Sequence, residues 1–338
     1  ADVTGDAGGS GVDFAGQVIF TAADVAQTID GNGGELTFDR DVLKNVSGNA
    51  TLRGSQISMV RADAGDQTLA ASDGFLRIGT GAVAEAVVKT AGTGALVLGG
   101  DEVRLSASTS ASDLDLDAAN VVLIGSGAQT LESTASALTI AGDVSASGSG
   151  TKSLSGAGAG IVFDGAGDQS ASAAAGETLD LTVAVSKTTA GGLSLGGGTV
   201  EVDSTVTGND GGVRFEGDVA LTQAAGEQLL SGGPGQLAFE GDVVNAAGGD
   251  IALEGSDVLF DGAGAQVVQT TGSLRVGTAL APVSAQKTGA SGLSLDASAL
   301  SLSGDVVGDG GLTLMAASTT ATGTGAQQFS GGAEVLDL

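Results

Sequence analysis

Apolar residues in this chain recur as apolar–x–apolar triplets. The series runs through Leu36–Phe38, Ile57–Met59, Leu76–Ile78, Leu96–Leu98, Leu114–Leu116, Leu138–Ile140, Ile161–Phe163 and Leu179–Leu181. It continues through Leu193–Leu195, Val213–Phe215, Leu237–Phe239, Val258–Phe260, Leu274–Val276, Leu293–Leu295, Leu312–Leu314 and Leu336–Leu338. From Phe38 to Leu338 there are fifteen steps over 300 residues, a mean of 20. Between the two apolar members sits, in most triplets, a polar residue such as Thr37, Ser58, Arg77, Asp115, Ser194 or Arg214. In–out–in alternation is the period-2 pattern of a half-buried strand. The second apolar residue of every triplet, from Phe38 to Leu338, is therefore assigned to the core. Val97, Val162, Ala238 and Leu259 replace the polar middle residue and predict apolar spots outside. Gly, Asp, Asn and Ser fill the intervals, as turns require.

A second, longer period overlies the first. Gln27, Gln67, Gln129, Gln169, Gln228, Gln266 and Gln327 share one frame, at intervals of 40, 62, 40, 59, 38 and 61. Lys89, Lys187 and Lys287 each open a KT pair ahead of "GALVL", "GGLSL" and "SGLSL". A unit of about 100 residues emerges, read as five coils of 20. The long repeats fall roughly at 1–38 (partial), 39–140, 141–239 and 240–338.

A window of 20 residues holds too few aliphatic side chains to offset the entropy of ordering it, so stability must come from stacking. The expected fold is all-β: a single parallel β-helix, or β-solenoid, over 1–338, with about seventeen coils. It is expected right-handed under the general crossover rule. A row of 100-residue β-sandwiches is the rival, disfavoured by the short subperiod and the scarcity of large side chains.

Composition sharpens the picture. The 338 residues include 60 Gly and 9 Phe, with no Trp, Tyr, His or Cys. Such a chain suits a thin interior with many tight turns. Twelve basic against 40 acidic residues leave a net charge of −28, which repels nucleic acid and anionic lipid. No apolar run is long enough to insert in a membrane. Without His or Cys, Ser–His–Asp and Cys–His catalysis and ordinary zinc sites are excluded. Carboxylate pairs such as Asp101/Glu102, Asp113/Asp115 and Glu216/Asp218 keep a polysaccharide-active β-helix enzyme as a third reading. No cluster interrupts the repeat to mark a cleft, so no catalytic residue is assigned.

The Asp/Asn–Gly turns offer Asp30, Asn32, Asn209, Asp210 and Asp309 as weak calcium ligands, Ca2+ being the one cofactor they would suit. Their spacing matches neither the EF-hand nor the Ca2+-binding nonapeptide, and tight turning is the preferred explanation. The Gln amides are expected to satisfy turn backbone groups. The repeated lysines are expected to be solvated or paired with surface carboxylates.

The segments "GGLSLGGGTVEV", "GQLAFEGDVVNAAGGDIALEGSDV" and "GLSLDASALSLSGDVVGDGGLTL" resemble the repeat region of filamentous-haemagglutinin-like exoproteins. That resemblance implies a right-handed parallel β-helix, extracellular or on the bacterial cell surface, acting mainly as a stalk. The expected function is a structural rod, as adhesin stalk or filament protomer, without catalysis. A core triplet at Leu336–Leu338 leaves an open sheet edge, so the expectation is either a segment of a longer chain that continues the coils or self-association as a head-to-tail filament. The alternative is an adhesin that recognises a host or matrix surface.

Overall fold

Every paired strand described lies parallel to its neighbour, which fits alternation that buries one face of each short strand. The computed structural model describes residues 3–4, 11–79, 86–277, 282–322, 327–331 and 336–337. Among them there is no helix, and the strands stack as a β-solenoid. Contacts divide the chain into two compact units, Ala1–Gly165 with Ser170–Glu177, and Ala166–Gln169 with Thr178–Leu338.

In the first unit, each turn of the coil contributes three strands to three ladders. One ladder stacks Leu36, Ile57, Val87, Thr109, Leu131 and Leu154. A second stacks Val42, Leu69, Leu98, Leu116, Ile140 and Phe163. The third stacks Ile29, Leu52, Ile78, Leu105 and Leu123. The second unit repeats the plan, its first ladder running Leu195, Phe215, Phe239, Phe260. Its second runs Val200, Val219, Val243, Val268, Leu295, Leu314, and its third Val206, Leu230, Leu253, Val276, Leu302. In each unit the ladders enclose a narrow aliphatic interior.

Phe38, Met59, Ile78, Leu98, Leu116, Ile140, Phe163 and Leu181 are at most 1% exposed. Leu195, Phe215, Phe239, Phe260, Val276, Leu295 and Leu314 are at most 5% exposed. Leu338 lies outside the described residues. Two phenylalanine stacks reinforce the ladders: Phe14–Phe38 at 5.0 Å, and Phe215–Phe239–Phe260 at 5.3 and 5.4 Å between centroids. Ser58, expected outside, is 2% exposed, its hydroxyl donating to the Glu35 carboxylate.

The coil is longer than the triplet period. Five in-register steps from Leu36 to Leu154 span 118 residues, about 24 per turn. Five from Val200 to Leu314 span 114, about 23 per turn. The chain therefore makes about 13 turns, not seventeen. The triplet series misled because it changes ladder: Ile57–Met59 lies on the first ladder of its unit, Leu76–Ile78 on the third, Leu96–Leu98 on the second. With three strands per turn and variable corners, the most apolar strand need not fall on the same face each time.

The long repeat is corrected for the same reason. Leu193–Leu195 and Leu293–Leu295 occupy the same sequence frame but different ladders, the former paired to Val213–Phe215, the latter to Gln266 and Val268. Thirteen strand steps separate them when Leu193–Val202 and Val213–Leu221, which each span two ladders, are counted as two, and at three per turn that is four and one third turns rather than five. Each long repeat thus presents its outward residues on the next face.

Candidate functional site: corners and outward faces

At each corner, where one strand ends and the next begins, turn carbonyls and amides point into the interior and must find partners. The repeated glutamines supply them. Gln67 Nε2 donates to Phe38 O at 3.0 Å while its Oε1 accepts from Arg61 N at 3.0 Å. Gln266 donates to Phe239 O and Gly241 O at 3.0 and 2.8 Å and accepts from Gly262 N at 3.0 Å. Gln228 bonds Val202 O and Ser204 O at 2.5 and 2.9 Å, and Gln129 bonds Leu105 O at 3.2 Å. Gln27 accepts from Ala22 N at 3.1 Å, and Gln327 donates to Leu302 O at 3.3 Å. Gln169 is likewise buried, at 4% exposure.

The lysines overturn expectation. The chain's five lysines, Lys44, Lys89, Lys152, Lys187 and Lys287, are all buried, none above 7% exposed. Each ammonium turns into a corner. Lys89 Nζ reaches Gln67 Oε1 at 3.1 Å, and Lys44 reaches Gln27 Oε1 at 3.1 Å together with Ala22 O. Lys152 is held by the carbonyls of Gly125, Gly127 and Ser149 at 3.1, 2.9 and 2.8 Å. Lys287 donates to Gly262 O and Thr288 O at 2.6 and 2.8 Å, and Lys187 to the Thr189 hydroxyl. Burial lowers the pKa of Lys89 and Lys152 below the ordinary lysine value, with nearby Arg61 adding to the effect at Lys89. An ammonium supplies three donors and no acceptor, which matches a ring of carbonyls. Composition alone could not show this, because lysine usually lies at the surface.

The proposed calcium ligands do not converge. Asp30 accepts from Asn32 N at 2.8 Å and pairs with Arg53 at 3.1 Å, and Asn32 turns the chain at φ +50°. Asn209 accepts from Asp210 N at 3.0 Å and donates to Thr188 O at 3.1 Å, while Asp309 N donates to Lys287 O at 3.3 Å. These are turn-forming roles. Among the described residues no group of three or more acidic side chains could hold a metal ion.

Outside, charge is arranged in rungs. Arg214 Nε lies 3.0 Å from Glu240, and its Nη2 lies 2.8 Å from Asp261. Arg275 spans Glu227 and Glu254 at 2.8 and 2.6 Å. Arg104 pairs with Glu102 and stacks over the Phe75 ring at 3.9 Å. One stretch breaks the pattern: Asp115, Asp117 and Asp164 share an open pocket with Val97, Thr139 and Ala141. Burial, then Asp113, raises the Asp115 pKa, opposed by a hydrogen bond with Thr139.

Fold and corners together define a parallel β-solenoid closed by internal glutamine and lysine. Comparison with protein-family models, curated proteins and solved structures finds no match.

Proposed function

We propose that this chain is a structural segment of a bacterial extracellular or cell-surface assembly, a right-handed solenoid serving as stalk or filament protomer rather than as an enzyme. The observation that carries this is the use of the chain's reactive amines. All five lysines are buried at the corners, and Lys44, Lys89, Lys152 and Lys287, with Gln67, Gln129, Gln228 and Gln266, bind one turn to the next. Side chains so engaged hold backbone; they are not poised toward a substrate. The resemblance to filamentous-haemagglutinin-like repeats supports the same reading, and so does a surface of net charge −28, which keeps an extended protein dispersed.

Electron microscopy of the purified chain, with a parallel assay for reducing ends released from a panel of polysaccharides, tests it. Regular polymers identify a filament protomer, and separate elongated particles a stalk. Saturable polysaccharide cleavage would overturn the structural reading. Recognition of a partner surface is a second reading, favoured by the acidic pocket around Asp115.

A further inference from the structure

The long repeat supplies an internal control for that pocket. "LDLD" at Leu114–Asp117 aligns with "VRFE" at Val213–Glu216, "AGDV" at 141–144 with "EGDV" at 240–243, and "FDGAG" at 163–167 with "FDGAG" at 260–264. Pairing follows the same plan at both places: Leu114 stacks on Leu138 and then Ile161, as Val213 stacks on Leu237 and then Val258. Asp115 is therefore the counterpart of Arg214, Ala141 of Glu240, and Asp164 of Asp261.

In the second unit the side of that place between Glu240 and Asp261 is filled, and the pocket that remains beside it, along Ser194 and Ala238, is lined by Arg214 itself. The Arg214 guanidinium lies across Glu240 and Asp261, at 3.0 and 2.8 Å. In the first unit the guanidinium is replaced by a carboxylate, Asp115, and the carboxylate at the position of Asp164 is retained. A pocket of about 370 Å³ opens there, with Val97, Leu116, Asp117, Thr139 and Ala141 forming the rest of its wall. Among the described residues no lysine or arginine stands in ion-pair range of Asp115, Asp117 or Asp164. The charged groups that act on Asp115 are all acidic: Asp113, Asp66 and Asp164.

We propose that this pocket receives an arginine side chain presented by a partner protein, which completes from outside the arrangement that Arg214 completes from within. A planar guanidinium offers forked donors that serve two carboxylates at once, which a lysine ammonium does not match. Val97 supplies an apolar wall for the aliphatic stem. The assignment goes beyond the structural reading and stands without it, because it rests on the pocket and its filled counterpart alone.

The test is an NMR titration of the full chain with acetyl-Gly-Arg-Gly-amide, against the same peptide carrying citrulline and against CaCl2. Saturable shifts at the Thr139 and Ala141 amides are expected with arginine only. Asp115→Asn should weaken binding at least five-fold, Asp164→Asn likewise, and Glu240→Gln should leave it unchanged. Asp115→Arg should fill the pocket in cis, abolish binding and raise the melting temperature, with unchanged circular dichroism. Should Asp115→Arg fail to fold, the two asparagine variants still decide the matter. Equal binding of the citrulline peptide, indifference to Asp115→Asn, or tighter saturation of the same amides by Ca2+ would each overturn the assignment.

Discussion

Lys89 Nζ donates to Gln67 Oε1 at 3.1 Å across a buried corner, 22 residues apart in sequence and about one turn of the coil. The glutamine follows the corner in one turn, and the lysine precedes the same corner in the next. Gln27 and Lys44 repeat the relationship at 3.1 Å. The corner is thus sewn by side chains where strand pairing stops.

The pair should be energetically coupled. Gln67→Met takes the acceptor from Arg61 N and from the Lys89 ammonium, while Phe38 O keeps the Val60 N–H. Lys89→Met removes one of the two donors to Gln67 Oε1, which keeps the Arg61 N–H. Gln67→Met should cost about 1–3 kcal/mol, the penalty of buried donors without a partner, and Lys89→Met about 0.5–1.5 kcal/mol, the net value of a hydrogen bond. The double variant should cost less than their sum by at least ~0.5 kcal/mol in urea denaturation. Strict additivity would show that the bond contributes nothing.

Burial of Lys152 sets the sign of a pH effect. Its folded pKa lies below the ordinary 10.5, so between those values the unfolded chain holds more protons. Stability then rises with pH across that window. Relative to Lys152→Met, the native chain should gain stability from neutral pH toward 10.5. A stability difference between the native chain and Lys152→Met that stays constant, or moves in favour of the variant as pH rises, would contradict the buried ammonium.

Asp115 titrates in the opposite sense. Its folded pKa is raised above 3.8, chiefly by burial and then by Asp113, so its contribution is full below 3.8 and lost as pH rises through the folded value. Asp115→Asn should therefore stabilise the chain near neutral pH, with the advantage vanishing in acid. Melting curves at pH 3 and pH 7 compare the two limits.

Inward and outward positions should respond very differently to charge. Leu295 is fully buried between Val268 and Leu314, whereas Ser294 alternates to the outside. Leu295→Asp should cost several kcal/mol because the carboxylate has no partner inside. Ser294→Asp should stay within about 0.5 kcal/mol. Similar urea midpoints for the two variants would refute the facing of this strand.

Corner glycines should differ by what they approach. Gly127 has φ +92° with open space around it, while Gly100 has φ +96° and a Cβ there would sit 1.8 Å from Ala71 O. Gly127→Ala should cost roughly 1–2 kcal/mol from backbone conformation alone. Gly100→Ala must also push neighbouring turns away from each other, and its loss in thermal stability should be clearly larger.

Much of this was readable from the chain itself. Alternation is a local property, so Leu36, Thr37 and Phe38 declare a strand and its buried face without reference to neighbours. The small residues, the framed glutamines and the roughly 20-residue beat were enough for a parallel β-solenoid. The alignment of Asp115 with Arg214 was also present in the repeat, although its meaning was not.

Strand count per turn, ladder membership and the fate of the lysines were decided only by the tertiary structure. Closing a turn depends on how far each corner bends the chain, a property spread over some two dozen residues. That is why Leu193 and Leu293, alike in sequence, sit on different ladders. Lys152 is buried because Gly125, Gly127 and Ser149 turn their carbonyls toward it. That carbonyl ring exists only once one turn lies upon another.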